Sequence, residues 1–401
     1  MQLKFSRIVR KTTTLFGILC ALPIVLVCRV IRPWIHVRFG YFTADRIGHF
    51  AFDLEYYLSE RYAQADHDKF VDLFFLRRGP ANSQLALMAS RQLRISAFVE
   101  VLFRANQLLP GKAKFEVLPS RMITASRDKK GVFDKTPIQL TFTEEEQLRG
   151  YEYLKKIGCN DLKKVVCLVV RDSAYLDSLQ VERDWSYHAF RDTDIDDYRE
   201  VSVTLAEEGY WVLRMGKRVH RPLGAEHLRV VDYACSRDRC DFLDVWLMAN
   251  CFFAISTGLG LDSVADIFRR PQVFVNYLPL MDLEAWGRYL TVPKILSWSN
   301  TGRPLTLIEQ ISHSSVNAHY YVKNGIDIRD LSPTEITDAV LELEARLVGN
   351  WLPDEDEDRL HENFWDCVKT HPDFVKYHGW IHPDAQVGSK YLREAQTYLF
   401  A

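Results

Sequence analysis

Short apolar runs separated by longer amphipathic stretches set the rhythm of this chain. Lys164–Val170, Tyr210–Met215, Cys251–Ile255 and Val273–Val275 are dense in branched and aromatic residues, the pattern of parallel strands covered on both faces. Between them, Asp196–Glu208 has helical spacing and ends at Gly209, and 241–250 is helical too. A helical pattern follows the turn Ser256-Thr257-Gly258-Leu259-Gly260 through Phe268, before Pro271 stops it. Such alternation predicts βαβ units with right-handed crossovers. The first part of the chain repeats the rhythm. Ile35–Phe39 alternates as a strand, Gly48–Tyr62 is helical with aromatics on one face, Leu73–Leu76 is a strand, Gly79–Asn82 a turn and Gln84–Leu93 a helix. Gly111–Gly150 is loop-rich and charged, with a helix at Glu144–Lys156. After Pro333, Thr334–Val348 is a strong helix, Asp354–Asp358 an acidic loop, and the tail mixed helical.

These elements imply an α/β fold of two Rossmann-like domains facing a cleft, preceded by an N-terminal hydrophobic helix. The expected divisions are a membrane-anchor helix over 1–34, an N-terminal domain over 35–160, a C-terminal domain over 161–310 and a helical extension over 311–401. In the first segment Lys4, Arg7, Arg10 and Lys11 precede an uncharged stretch from Thr12 to Cys28, and Arg29, Arg32 and Arg38 follow it. No small-x-small cleavage site follows the apolar run, and Val27 before Cys28 does not suit a lipoprotein signal. Interrupted by Pro23, the stretch is marginal for spanning. Cations at both ends suit a shallow anchor on the cytoplasmic face of the inner membrane, monotopic or peripheral. The alternative is a buried helix packed on a partner subunit.

Composition narrows the picture only a little. The 401 residues exceed one ordinary core, and 47% hydrophobic with 26% charged residues is a globular balance. A formal net charge of −2 argues against nucleic acid as the main partner. The eight cysteines form no CxxC pair and no His/Cys set at zinc spacing; several sit inside apolar runs, as in Val165-Val166-Cys167-Leu168, which suits a reducing compartment. No metal or other cofactor is expected.

In open α/β sheets ligands sit off the carboxyl ends of strands, so the residues just past each strand are the place to look for chemistry. In the second half these are Arg171 and Asp172, Arg214 with Gly216 and Lys217, Asp232 and Tyr233, and the turn of Ser256, Thr257, Gly258, Leu259 and Gly260 leading to Asp262 and Ser263. Small residues let an anion approach the backbone, and a helix start offers N–H groups and a positive dipole end. Arginines supply bidentate forks for phosphate oxygens, and Asp232 is placed to accept from a ribose or base. Together these residues suit a diphosphate. Arg191-Asp192-Thr193-Asp194 opens the helix near Asp196, and its carboxylates read better as N-caps than as the Asp-x-Asp grip on a metal. Trp185, Tyr187 and other aromatics suit sugar stacking or core packing alike, and His371, His378 and His382 read as structural.

Four blocks also resemble, in order, a bacterial family of surface-carbohydrate glycosyltransferases of GT-B type, similar to heptosyl- and fucosyltransferases. The blocks are Ala44-Asp45-Arg46-Ile47-Gly48-His49, Val170-Arg171-Asp172, Val212-Leu213-Arg214-Met215-Gly216 and the 256–263 turn. The resemblance implies a nucleotide-sugar donor in the C-terminal domain and a glycan or lipid-linked acceptor in the N-terminal one, for bacterial surface polysaccharide synthesis. It implies inverting, metal-independent transfer, with Arg191 on the donor; Asp192 stands where the family has Asn. The 45–49 segment is similar to the acceptor loop of such enzymes. Inversion needs a base for the acceptor hydroxyl; His49 has the suitable ordinary pKa, with Asp45 and Glu55 as rivals. Arg46, Gly48, Arg77 and Asn82 are expected to hold the acceptor. Two other functions fit the same pattern: a non-catalytic nucleotide-binding scaffold of a polysaccharide assembly complex, and a nucleotide-sugar epimerase.

Overall fold

The structure, a computed structural model, describes residues 2–64, 69–171 and 190–401, with side chains from Phe16 onward. It divides into two compact units, Met1–Ser126 with Thr136–Phe142 and Arg127–Lys135 with Thr143–Ala401.

The first unit opens with a helix, α1 (Gln2–Val30), that runs through Pro23. Its strands are β1 (His36–Thr43), β2 (Phe70–Arg77), β3 (Arg94–Ile95) and β4 (Glu116–Val117), in the spatial order β3-β2-β1-β4. Every neighbouring pair is parallel. The chain therefore steps from β1 to one side, then crosses back to lay β4 on the other side, which makes the β1/β4 border a topological switch point. Gly40 permits that border: a Cβ there would lie 2.8 Å from the Val117 carbonyl oxygen and 2.6 Å from the Phe74 ring. Its longer helices are α2 (Ile47–Ala63), α3 (Ser83–Gln92) and α4 (Phe98–Gln107), with a single helical turn at Ser120–Ile123. Ala21 and Val25 of α1 are buried with Val37, Phe39, Val99 and Leu102, and Arg29 donates to Asn106 Oδ1 and to the Pro110 carbonyl at 2.6 Å each. The second half of α1 is thus packed into this unit, while Phe16, Val27, Val30 and Trp34 stay exposed. Among the described residues no helix is long and apolar enough to cross a membrane.

The second unit carries strands β5 (Val165–Val169), β6 (Trp211–Arg214), β7 (Val230–Val231), β8 (Phe253–Ser256), β9 (Gln272–Tyr277) and β10 (Tyr289–Pro293), then the small antiparallel pair β11 (Ile295–Trp298) and β12 (Ile326–Arg329), and finally β13 (Gln386–Val387). The main sheet is seven-stranded and parallel throughout, in the order β13-β10-β9-β8-β5-β6-β7. Read from β7 to β10 this is the doubly wound 3-2-1-4-5-6 order, with its switch point between β5 and β8. Both of those strands are buried along their whole length, which is why they appear in the sequence as unbroken apolar runs.

The units do not follow the expected divisions. The helix α5 (Glu144–Ile157) belongs to the second unit, where the buried Trp246 lies over Gly150 and its indole N–H donates to Gln147 at 2.9 Å. A Cβ at Gly150 would come within 2.0 Å of that indole. The tail is also part of this unit: β13 extends the sheet beside β10, and the helix Ser389–Leu399 buries Leu392, Ala395 and Leu399.

Candidate functional site

In the second unit Arg171, Arg191 and the 256–260 turn come together at the β5/β8 switch point. Thr257, 2% exposed, receives the Arg171 N–H on its Oγ1 at 3.0 Å, and its own N–H returns to the Val169 carbonyl at 3.3 Å. Arg171 Nε donates to Asp192 Oδ1 at 3.1 Å, and Arg191 donates to the Gly258 carbonyl. At the carboxyl ends of the two central strands, Arg171 is thus tied to the turn by its backbone N–H, with its side chain on Asp192, and Arg191 by its guanidinium. Asp172, together with Trp185 and Tyr187, lies outside the described residues.

The turn differs from an open anion cradle. Ser256 Oγ donates to Asp262 Oδ2 at 2.7 Å and accepts the Gly258 N–H at 3.1 Å, and Asp262 Oδ2 also takes the Leu259 N–H at 2.6 Å. The backbone donors of residues 257, 258 and 259 are thus engaged within the protein. Asp262 occupies the place where a bound anion was expected, and burial pushes its carboxyl up to about 6 against the pull of those donors. The helix that follows, Asp262–Ile267, is a turn and a half long. What the turn leaves on the surface is Gly260, with Leu259 and Ser263 half-buried. The backbone N–H groups of 257–259 are therefore not open to a phosphate.

Two other expected donor residues, Asp232 and Tyr233, are engaged by the fold. Asp232 accepts the Leu223 and Gly224 N–H groups at 2.9 and 3.3 Å, one on each oxygen, and so pins the 223–224 bend. Tyr233 is fully buried, and its hydroxyl bonds to Asp244 Oδ1 at 3.0 Å and to the backbone of Cys240; the ligand contact expected of it is corrected to a core role, because a saturated buried phenol has no free valence. Arg214 is 0% exposed, Gly216 makes the bend after β6 at φ +150, and Lys217 pairs with Asp241 at 3.7 Å. In the former Asp-x-Asp, Asp192 faces Arg171 and Asp194 faces Arg221 while capping Asp196 N–H at 2.9 Å. Among the described residues no group of three His, Cys, Asp or Glu side chains is placed to hold a metal ion.

In the first unit the segment after β1 enters α2, with Arg46 exposed at its N-cap and Gly48 in its first turn. His49 is half-buried, and its Nδ1 lies 3.0 Å from Ser126 Oγ. Ser126 Oγ in turn lies 3.2 Å from Asp53 Oδ1. That oxygen also accepts the Arg121 N–H at 2.9 Å and the Ser120 hydroxyl, whereas Asp53 Oδ2 is buried with no hydrogen-bond partner among the described residues. Burial, with Arg121 and Arg46 nearby, pushes the imidazole down to about 4 against the pull of Asp45. His49 is therefore neutral at physiological pH, with a lone pair to offer.

The rival bases are placed elsewhere. Asp45 pairs with Arg78 at 2.6 Å. Glu55 is fully buried, and its two oxygens accept the Gln139 and Leu140 N–H groups at 3.0 and 3.1 Å. Asn82, expected on the acceptor, is 1% exposed and caps α3 by accepting the Leu85 N–H at 3.0 Å, so its role is corrected to that of a helix cap. Arg77 lies over the Tyr41 ring at 5.5 Å. Asp53, Ser120 and Ser126 escaped the sequence reading, although the i, i+4 spacing of His49 and Asp53 already put them on one helix face.

No family model and no curated protein sequence matches this chain. Among solved structures it is similar to the glycosyl transferase family 9 protein from Veillonella parvula, with 11% identity over 77% of this chain and 96% of that one at a TM-score of 0.48. It is similar to the E. coli ADP-heptose lps heptosyltransferase II, with 12% identity over 78% and 99% at 0.40. A third likeness, at 14% identity over 59% and 87% and a TM-score of 0.33, is to E. coli heptosyltransferase WaaC with ADP-2-deoxy-2-fluoro heptose.

Proposed function

We propose that this protein is a glycosyltransferase of GT-B type that moves a sugar from a nucleotide-sugar donor to a glycan or lipid-linked acceptor in bacterial surface polysaccharide synthesis. The observation that carries the reading is the placement of two arginines at the switch point of a 3-2-1-4-5-6 sheet, Arg171 held there by its backbone N–H on Thr257 and Arg191 by its side chain on the Gly258 carbonyl. That border is where doubly wound sheets take nucleotides, and two guanidinium forks suit a diphosphate and the charge it gains on leaving. The first unit supplies the second requirement, a neutral imidazole at the end of its own central strand. In this reading His49 takes the proton of the acceptor hydroxyl as that oxygen attacks the anomeric carbon, and the nucleoside diphosphate leaves with the bonding pair. Transfer is then inverting and needs no metal, because the arginines neutralise the leaving group.

Membrane attachment belongs to the same proposal. The inner stripe of α1 is packed in the first unit, while Phe16 at 71%, Val30 at 71% and Trp34 at 78% exposure face outward near the exposed Arg32. An apolar face with flanking cations suits an anionic bilayer surface and would keep the enzyme near a lipid-linked acceptor on the cytoplasmic side.

The test is the melting temperature of the full-length chain with each nucleoside diphosphate. A ligand of the folded state at 100 times its Kd adds about 2.7 kcal/mol of stability. One diphosphate should raise the melting temperature, and Arg171→Ala should abolish the rise. No shift with any of them in a folded protein overturns the reading. A shift without sugar transfer from any tested nucleotide-sugar favours the scaffold.

A further inference from the structure

The interactions around His49 are more ordered than a lone base requires. His49 and Asp53 sit one turn apart on α2, the helix that follows β1, while Ser120, Arg121 and Ser126 belong to the segment that follows β4. These side chains meet across the β1/β4 border, the switch point of the first unit. Ala125 and Ser126 reach it with φ of +58 each, a left-handed pair without glycine. Such backbone costs of order 1 kcal/mol per residue and persists where its surroundings hold it. Here the Ser126 hydroxyl is held between an imidazole nitrogen at 3.0 Å and a carboxylate oxygen at 3.2 Å.

The direction of the chain of hydrogen bonds follows from valence. Asp53 Oδ1 already faces the Arg121 N–H and the Ser120 hydroxyl, so a proton on that oxygen would point at other protons. Oδ1 therefore carries no proton and Ser126 donates to it, even though burial raises the Asp53 carboxyl above its ordinary value. Ser126 Oγ then has only a lone pair left for His49, so the imidazole must carry its proton on Nδ1. Nε2 is left bare.

We propose that Ser126 and Asp53 are positioning residues that fix His49 in the Nδ1–H tautomer, so that Nε2 is the atom that accepts the proton of the acceptor hydroxyl. This rests on the glycosyltransferase reading for its chemistry, though not for its geometry. In the transfer step the acceptor O–H bond breaks toward Nε2, the oxygen bonds to the anomeric carbon, and the bond from that carbon to the diphosphate breaks with its electron pair leaving on phosphate. The imidazolium so formed keeps its Nδ1–H on Ser126 Oγ, whose own proton stays on the Asp53 side; no proton crosses the serine. Of the charged groups around the ring, Arg121 and Arg46 oppose a positive charge on it and Asp45 favours one. Asp45, the other acid facing the ring, is paired with Arg78.

The test separates tautomer from turnover. Selective 15N-histidine labelling of the full-length protein, with the His49 signal assigned by its loss in His49→Gln, reads which ring nitrogen carries the proton at neutral pH. Wild type should show a protonated Nδ1 and a bare Nε2. Ser126→Gly removes the hydroxyl and relaxes the left-handed backbone, so the fold is kept; His49 should then move toward the Nε2–H form. Initial rates with the nucleotide-sugar chosen by the melting assay should show kcat lower by about 10- to 100-fold in Ser126→Gly and in Asp53→Asn, with KM for the donor unchanged. An Nε2–H tautomer in the wild type, or the same tautomer in Ser126→Gly, overturns the inference whether or not the protein transfers sugar. A nucleotide that fails to bind sinks the glycosyltransferase reading and leaves the tautomer result standing.

Discussion

Gly258→Ala probes the turn on which the donor reading depends. Gly258 sits at φ +72, and a Cβ there would lie 2.8 Å from Tyr277 Cε2 and 3.2 Å from Cδ2. The ring cannot easily retreat: Tyr277 is 7% exposed, its hydroxyl donates to the Asp282 carbonyl at 2.8 Å, and its edge meets Phe274 with centroids 5.6 Å apart. Two costs add. The left-handed backbone costs an alanine about 1 kcal/mol, and overpacking a filled site costs about 1–3 kcal/mol more. Gly302 separates them, since it has φ +69 with nothing within 4 Å of its would-be Cβ. Gly302→Ala should lose about 1 kcal/mol and Gly258→Ala about 2–4 kcal/mol, measured as urea midpoints at one pH and converted with a common m-value. The displaced turn should also loosen the Arg191 contact on the Gly258 carbonyl, so nucleoside diphosphate affinity should fall in Gly258→Ala and hold in Gly302→Ala. Equal losses within 0.5 kcal/mol (roughly the ordinary scatter of surface substitutions) would refute the steric argument and show that the Tyr277 ring yields.

Two further outcomes follow from burial and exposure. His378 is 3% exposed with Nε2 3.0 Å from the Met281 carbonyl oxygen, and burial followed by Arg127 pushes it down from 6.5 to about 4. The unfolded chain therefore binds the proton first as pH falls, so stability is unaffected above 6.5 and is lost between 6.5 and 4, by about 2 kcal/mol at pH 5. Replacing this residue (His378→Gln) should flatten the fall in urea midpoint between pH 7.5 and 5, and an unchanged slope would show that His378 is not the titrating group. At the other end of the chain, flotation with vesicles containing anionic lipid should carry the wild type upward, less so in high salt, and should fail for the double variant Phe16→Ser with Trp34→Ser. Equal flotation of both proteins would place any membrane contact elsewhere.

The two central strands of the second unit are readable because β5 and β8 are buried on both faces, and burial of that kind writes itself as unbroken apolar runs. Short edge strands leave no such mark: β13 is two residues long, and its place beside β10 comes from the packing of the tail helix. The division between the units is invisible for a related reason. The amphipathic pattern of α5 says that one face is buried without saying against which sheet, and the choice is made by Trp246 lying over Gly150, nearly a hundred residues apart.

The candidate sites divide along the same line. Strand-end position picks out residues past the carboxyl ends of the strands, Arg171 and the 256–260 turn at the β5/β8 border among them, but it does not reveal where their hydrogen-bonding capacity goes. Asp232, Tyr233 and Asn82 have the polarity a ligand contact needs, and the fold uses all of it on backbone amides and buried partners. In the turn, the N–H groups that glycines and small residues leave accessible are claimed by Ser256 and Asp262. Half of the His49 arrangement is local, since His49 and Asp53 share a helix face, and the other half is 77 residues away at Ser126. The helical spacing marks two polar groups on one side of α2, and only the β1/β4 crossover brings the hydroxyl that orders them. The same crossover explains why the serine is tolerated at positive φ: a side chain fixed at both ends by charged or polar partners offsets a strain that a solvent-facing serine would relax.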